Sequence, residues 1–408
     1  MIMWAGDLSA APAHDRIESL DVLRGVAILG IFAVNIVGFG LPWFALSNPT
    51  AVPGFFDDNA AFWWTVSTSL FQFKFITLFS VLFGAGIILM LGEESPSARQ
   101  RLHRSRMFWL FLIGMAHCYF LWFGDILAPY ALAGFLVSGA RVWRSSKLLL
   151  VGAILITLNF GLFFLQDWGL QFMSAEELTE MNAEMWAPPP EKVAEIIATY
   201  RNGFLDRLPS TIEQSFLAQM VQGVFLAPRT IGLMMIGIAL YKTGFLTLHW
   251  TQPAYIGLGL VATVMGFFGS YWAATHSIHV GFEMTASFPG QAALYWASLL
   301  QAFGYAALVM TACKIDILRW ARVPFAAAGR MALSNYLLST LIGVGIFYGP
   351  PGLAQIGAMS APQLAGVVAG VWGALLIWSP LWLAVFRFGP AEWIWRTLTY
   401  GKAQPFLK

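Results

Sequence analysis

Charge is scarce in this sequence. Only 11% of its 408 residues are Asp, Glu, Lys or Arg, against about 25% in a soluble domain. Cysteine is nearly absent: Cys118 and Cys313 are the only two, so no disulfide framework or Cys-rich metal site is available. There is no P-loop, no GxGxxG after a strand, no HExxH and no fixed-period repeat. These absences exclude a soluble enzyme, a disordered protein and a disulfide scaffold. What is present is apolar: 58% of residues are hydrophobic, with 34 Phe and 18 Trp, and the mean hydropathy is +0.68. This composition predicts an all-α polytopic membrane helix bundle.

A bilayer core of about 30 Å takes about 20 apolar residues of helix. Ten runs qualify: 22–41, 62–91, 107–123, 126–140, 148–166, 215–240, 254–274, 292–312, 331–348 and 364–386. The fourth is short, and the second is long enough to kink, tilt or break. Residues 1–20 are polar and no small-residue cleavage site follows, so a signal peptide is not expected. Positive charge sets the orientation. Arg99, Arg101, Arg104 and Arg106 fall between runs two and three, and Arg141, Arg144 and Lys147 between four and five. Lys242 follows run six; Lys314, Arg319, Arg322 and Arg330 lie between eight and nine. Arg387, Arg396, Lys402 and Lys408 end the chain. With both termini cytoplasmic, nearly all Lys and Arg are inside.

The whole chain, 1–408, reads as a single membrane domain with an acidic extracytoplasmic insertion at 167–214. That segment sets Glu176, Glu177, Glu180, Glu184, Glu191 and other carboxylates against Lys192, Arg201 and Arg207. Ser174-Ala175-Glu176-Glu177 has helix-start chemistry. Pro188-Pro189-Pro190 is a breaker, and 191–205 reads as a second short helix. The segment either covers the mouth of a site between runs five and six or is a solvated connector. Gly84, Gly86, Gly134 and Gly139 are assigned to helix packing.

Ionisable groups inside a span cost about 2.5–3.5 kcal/mol on insertion scales, so they need partners or a function. Lys74, His117, Asp125 and Arg229 qualify, and Asn35 joins them as a polar residue in the middle of run one. Asn35 and His117 each lie about 16 Å from the inner edge at 1.5 Å per residue. Lys74 and Arg229 fall toward the outer half. Asp125 sits at the outer turn between runs three and four. On depth, the five converge on one polar site open to the outside, with Asp125 as counter-charge to the two cations. The imidazole of His117 suits general acid/base work; the plainer alternative is a core His bonded to a neighbouring helix. Asp125 is eight residues from His117, about 12 Å along a straight helix, so contact requires a bend near Gly124. His103 and His249 are expected at the surface. His276, His279 and Glu283 are too weak a pattern for a metal, and none is expected. The Arg99–Arg106 run, with Arg101 and Arg104, either binds phosphates or anchors topology on anionic lipid.

The first run opens Leu20-Asp21-Val22-Leu23-Arg24-Gly25. On physical grounds Asp21 caps a helix start and Arg24 reaches headgroups or a neighbouring helix. The motif also resembles the Leu-Asp-x-x-Arg-Gly entry shared by several membrane acyltransferase families. Further stretches are Phe73-Lys74-Phe75, Gly114-Met115-Ala116-His117, Gly124-Asp125-Ile126-Leu127, Gly329-Arg330, Asn335-Tyr336 and Gly389-Pro390-Ala391-Glu392-Trp393. With these, nearly the whole chain resembles the YeiB-like family of bacterial membrane proteins. The acyltransferase-three family has a His where this chain has Asn35. The heparan-glucosaminide acetyltransferase group has Asn there but a His in the next loop, whereas residues 42–60 here contain none. If the acyltransferase likeness holds, the base must come from elsewhere, and His117 is the candidate.

The resemblance implies transfer of an acyl group from cytoplasmic acyl-CoA or acetyl-CoA to an acceptor at the outer face. His117 would be general base, with Asn35 and Asp125 assisting it. Lys74, Arg229, Arg24, Asp21, Arg101 and Arg104 would hold substrate. The implied partners are the bilayer and a small-molecule, lipid or glycan acceptor, with no nucleic acid and no metal. Homo-oligomerisation stays open. The implied location is the bacterial cytoplasmic membrane. A transporter with Lys74, His117 and Asp125 as proton carriers and a non-catalytic scaffold or lipid-binding protein also remain open.

Overall fold

Every apolar run becomes helix, and the residues between runs decide where each helix stops. The computed structural model describes residues 17–94 and 96–408. Residues 1–16, on which much of the signal-peptide expectation rests, lie outside them. The first run is α1 (Glu18–Gly40). The second breaks into α2 (Asp58–Leu70) and α3 (Lys74–Leu91). The break sits at Phe73, whose φ of 66° no continuing helix accepts. The next helices are α4 (Ser97–Phe120), α5 (Leu127–Val137) and α6 (Ser145–Leu170).

In the acidic segment, α7 (Ala175–Met181) starts at a capping box between Ser174 and Glu177. A π turn, Asn182–Trp186, follows, and then α8 (Pro190–Asn202). Helices α9 (Phe204–Val221) and α10 (Ala227–Lys242) join through a second π turn. The chain continues through α11 (Gln252–His279), α12 (Phe288–Cys313), α13 (Arg319–Arg330), α14 (Ala332–Phe347), α15 (Ala361–Val385) and α16 (Pro390–Tyr400). No β-strand forms among the described residues.

Seven helices or joined pairs among the described residues are long and apolar enough to cross a membrane. They become eight if α13 and α14, bent by 80° where they meet, form one span. On the count of eight, two of the ten runs fall short for visible reasons. The first turns of α4 carry Arg99, Arg101, Arg104 and Arg106, and α5 has only 11 residues. The protein is a multi-pass membrane protein.

The bundle has a basic end and an acidic end. At the basic end Lys242 pairs with Glu93 at 2.7 Å and donates to the Trp143 carbonyl at 2.9 Å. Trp395 donates to the Arg106 carbonyl. Arg322 donates to the Ala312 carbonyl. At the other end Arg201 donates to the Ile356 carbonyl, and Trp186 to that of Phe282.

Burial separates centre from rim. The most apolar windows of α1 and of α2–α3 are 67% buried, against 22% for α6 and 28% for α11 and α15. The outward faces of those rim helices carry Leu150, Leu158, Val261, Phe268, Ile377 and Leu381. Apolar surface of this extent belongs against lipid tails. The helices at the centre meet closely. A Cβ at Gly84 would run into the Met234 carbonyl, and one at Gly237 into the Val81 carbonyl. Only hydrogen at both positions lets α3 and α10 cross this tightly. The Gly25 and Gly329 pair does the same for α1 and α13, which gives the Gly of the opening motif a packing role. Gly86 and Gly139 face open space, so their assignment to close packing does not hold.

Candidate functional site

Helix α4 stops at Phe120, and the chain turns back through Gly124 into α5. The Ser215 hydroxyl on α9 donates to the Cys118 carbonyl at 2.7 Å, which anchors that terminus. Tyr336 on α14 clamps the turn. Its hydroxyl accepts from the Ile126 amide and donates to the Gly124 carbonyl, both at 3.3 Å. The clamp fixes Asp125, which is 1% exposed. One carboxylate oxygen caps α5 by accepting from the Ala128 amide at 2.8 Å. The other lies 2.9 Å from Nδ1 of His117. That contact is short but lies outside hydrogen-bond geometry, so it is an electrostatic approach of the carboxylate to the ring. On the opposite side of the ring, Nε2 lies 3.0 Å from the Thr340 hydroxyl of α14.

The order is carboxylate, imidazole, hydroxyl. A carboxylate beside Nδ1 favours the proton there. Nε2 is then left as the acceptor for the Thr340 proton. This is the layout by which an oriented imidazole activates a hydroxyl. Thr340 and Tyr336 were not singled out for this site from sequence. Tyr336 stands in one of the quoted motifs, whereas Thr340 is one of several hydroxyls in an apolar helix.

The expectation that all five polar residues meet is not met. Asp125 faces His117 and is not the counter-charge of Lys74 or Arg229. Lys74, 0% exposed, donates to the Thr68 carbonyl at 2.5 Å. Arg229 donates to Thr77 at 3.1 Å and Ser298 at 3.2 Å. Its guanidinium stacks 4.4 Å from the Tyr295 ring and 5.4 Å from Phe73. Among the described residues no carboxylate pairs with either cation. Tyr130 stands between the two clusters, within electrostatic reach of Arg229 on one side and Tyr336 on the other, and shares a 2.5 Å contact with Ser80.

A cavity of about 130 Å³ opens at the acidic end, walled by Trp64, Phe73, Phe163, Trp186, Phe288 and Tyr295. Trp186 comes from the acidic segment, which therefore contributes to a cavity wall. His117 does not line this cavity. Asn35 is half-buried and makes no side-chain hydrogen bond among the described residues.

At the basic end Arg24 pairs with Asp21 at 2.9 Å, as a capped helix start would have it. Arg101 and Arg104 are exposed on α4, and neither joins an ion pair with a described residue. His103 is a correction. It is buried, not superficial, with Nε2 3.3 Å from the Gly134 carbonyl, because it falls on the face of α4 that α5 covers. His249 is exposed as expected. His276 turns to the Ala286 carbonyl at 3.1 Å, and no group of three or more potential metal ligands forms among the described residues.

Several of the motif stretches thus meet in space. Gly124 and Ile126 are held by Tyr336, and Glu392 caps α14 by accepting from the Leu333 amide at 2.7 Å. The sequence relatives span the same elements. The uncharacterized protein YeiB of Escherichia coli (strain K12) is 32% identical over 397 residues, covering 96% of this chain and 98% of its own. The chain belongs to the YeiB-like family. The uncharacterized protein YxaH of Bacillus subtilis (strain 168) is 30% identical over 97% of both chains. Residues 240–402 match a family described as a protein of unknown function, DUF418. For this YeiB-like chain, that match begins in α10 and takes in Asn335, Tyr336, Thr340 and Glu392.

Proposed function

We propose that this protein is a membrane-embedded acyltransferase that uses His117 as general base. The observation that carries this reading is the run Asp125–His117–Thr340, with a carboxylate at one ring nitrogen and a hydroxyl at the other. The donor is acyl-CoA or acetyl-CoA from the cytoplasm, and its phosphates are drawn to the basic end. Arg106 lies within electrostatic reach of both Arg24 and Arg396 there, and the exposed Arg101 and Arg104 add to the field. In the chemical step Nε2 takes the acceptor's hydroxyl proton. The oxygen attacks the thioester carbonyl, the C–S bond breaks, and the departing CoA thiolate takes up the acceptor's proton from the imidazolium. Asp125 stabilises the imidazolium formed meanwhile. Thr340 occupies the place of the acceptor hydroxyl in the resting state. The acidic segment 167–214 stands outside, and the protein is a single membrane domain of the bacterial cytoplasmic membrane.

One observation favours a transporter as the second reading. His117 is enclosed and lies off the wall of the cavity at the acidic end. A titratable pair shut away from the cavity suits a proton carrier as well as a base.

The test is acyl-CoA binding to the purified protein, with CoA and ATP as controls, followed by transfer of labelled acyl groups to extracted outer-face acceptors. Selective binding with transfer that His117→Ala abolishes supports the transferase. Transfer that survives His117→Ala removes His117 from the mechanism. No acyl-CoA binding moves the transporter to first place.

A further inference from the structure

We infer that Lys74 and Arg229 form an anion subsite at the floor of the cavity at the acidic end. Its ligand would be an amphipathic molecule carrying a carboxylate or phosphate head on an apolar body. This deepens the transferase reading, on which it rests only for naming that ligand as the acceptor.

Three observations carry it. The first is charge. Two buried cations lie together with no carboxylate beside either among the described residues. Buried charge persists when something compensates it, and here only carbonyl, hydroxyl and ring partners do. A guanidinium is well suited to forked bonding of carboxylate or phosphate. The second is donor surplus. Trp64 Nε1, Ser69 Oγ and Asn159 Nδ2 are buried and make no hydrogen bond within the protein. Trp64 is on the cavity wall, and Asn159 uses its Oδ1 to hold the Arg229 amide at 3.0 Å. Spare donors beside unpaired cations call for an acceptor with negative charge.

The third is the partition between cavity and cations. Thr68, Phe73 and Tyr295 line the cavity and also touch Lys74 or Arg229. One layer of side chains therefore separates the two. Phe73 is the movable part of that layer. It is 38% exposed and held at φ 66°, a region that bulky residues rarely adopt and that clusters at clamps and switches. Swinging Phe73 aside opens the cavity onto the cations. The aromatic walls then take the apolar body while the head meets Arg229, Lys74, Thr77 and Ser298.

The test is equilibrium binding of decyl phosphate and decanoate to purified protein with no acyl donor present. Inorganic phosphate and acetate serve as heads without a body, and decyl maltoside as a body without charge. Nanodiscs containing phosphatidic acid supply the lipid-borne source. The expected result is saturable binding of the anionic amphiphiles, weakened tenfold or more by Arg229→Gln and by Lys74→Met. Phe73→Ala should speed association severalfold. Binding from the nanodisc lipid alone supports the subsite and identifies the source as membrane lipid. Binding that is equal for decyl maltoside, or unchanged in both cation variants, overturns it, as does no binding of any anion. Should Arg229→Gln fail to fold, Lys74→Met carries the test, because Lys74 has a single backbone contact to lose. His117→Ala should bind the anion normally. Binding without transfer counts against the transferase alone, and transfer without anion binding counts against this subsite alone.

Discussion

Around His117 a carboxylate stands beside the ring: Asp125 lies at Nδ1, Thr340 at Nε2, and Tyr336 holds the turn that presents the carboxylate. Around Lys74 and Arg229 the rule is reversed. Two positive charges share a neighbourhood of carbonyls, hydroxyls and rings, with no carboxylate beside either among the described residues. Both clusters are equally out of water, so burial does not distinguish them. Their balance does. A carboxylate beside the ring balances the first cluster, whereas uncompensated positive charge in the second leaves work for a ligand. A passive scaffold would need only clusters of the first kind.

The largest expected effect tests the closed cluster. Asp125→Ala strips the cap from α5 and leaves His117 facing nothing at Nδ1. Breaking a buried pair in this way costs about 3–5 kcal/mol, read as a loss of thermal or denaturant stability in detergent. A double-mutant cycle with His117→Gln should show coupling of about 1 kcal/mol or more. Additive losses would mean that the 2.9 Å approach carries no energy.

Next in size is the crossing that brings the two cations together. Lys74 opens α3 and Arg229 opens α10, and those helices meet at Gly84 and Gly237. Gly84→Ala places a methyl group against the Met234 carbonyl. An overpacked crossing costs about 1–3 kcal/mol. The same change should weaken anion binding while leaving acyl-CoA binding at the basic end intact. Equal loss at both ends would mean that the whole bundle had shifted.

Lys74→Met should act in the opposite direction from Asp125→Ala. Removing an unpaired buried charge is neutral or stabilising, here by about 1 kcal/mol, even though binding is lost. A melting temperature that falls sharply would show that Lys74 is already compensated, and the contrast between the clusters would fail.

How much of this was legible in sequence follows the same division. Apolar runs and positive charge gave the helices and the two ends, because hydropathy and Arg placement act locally along the chain. His117 and Asp125 stood out because ionisable groups are rare in spans. Their contact was conditional on a bend near Gly124, and the chain turns back there. Depth along an axis, however, fixes height and not rotation. Asp125 is expected at the depth of the cations yet pairs with His117, and Asn35 lies in the middle of α1 without joining either cluster. Thr340 lies 223 residues from His117 and looks like any hydroxyl bonded within its own helix. His103 was lost in a run of arginines, where local charge hides which face α5 will cover.

The smallest expected effect tests whether the cavity's outer wall is independent of the closed cluster. Glu177 has its carboxyl held below the usual range by the Ser174 amide and hydroxyl. A carboxyl whose folded value is depressed adds stability above its unfolded value, and that stability is lost as pH falls through the folded one. Helix α7 should therefore fray toward acid pH, seen as faster amide exchange in residues 175–181. Ser174→Ala should speed that exchange about fivefold at neutral pH, the equivalent of one lost cap, and should flatten its acid dependence. Because α7 leads directly into the turn that carries Trp186, fraying should also loosen the cavity wall and modestly weaken anion binding. Exchange in residues 121–128, where Tyr336 holds the turn, should not change. Parallel changes in both segments would show that the cavity wall and the His117 cluster open as one unit, and the two regions would then have to be treated as a single site.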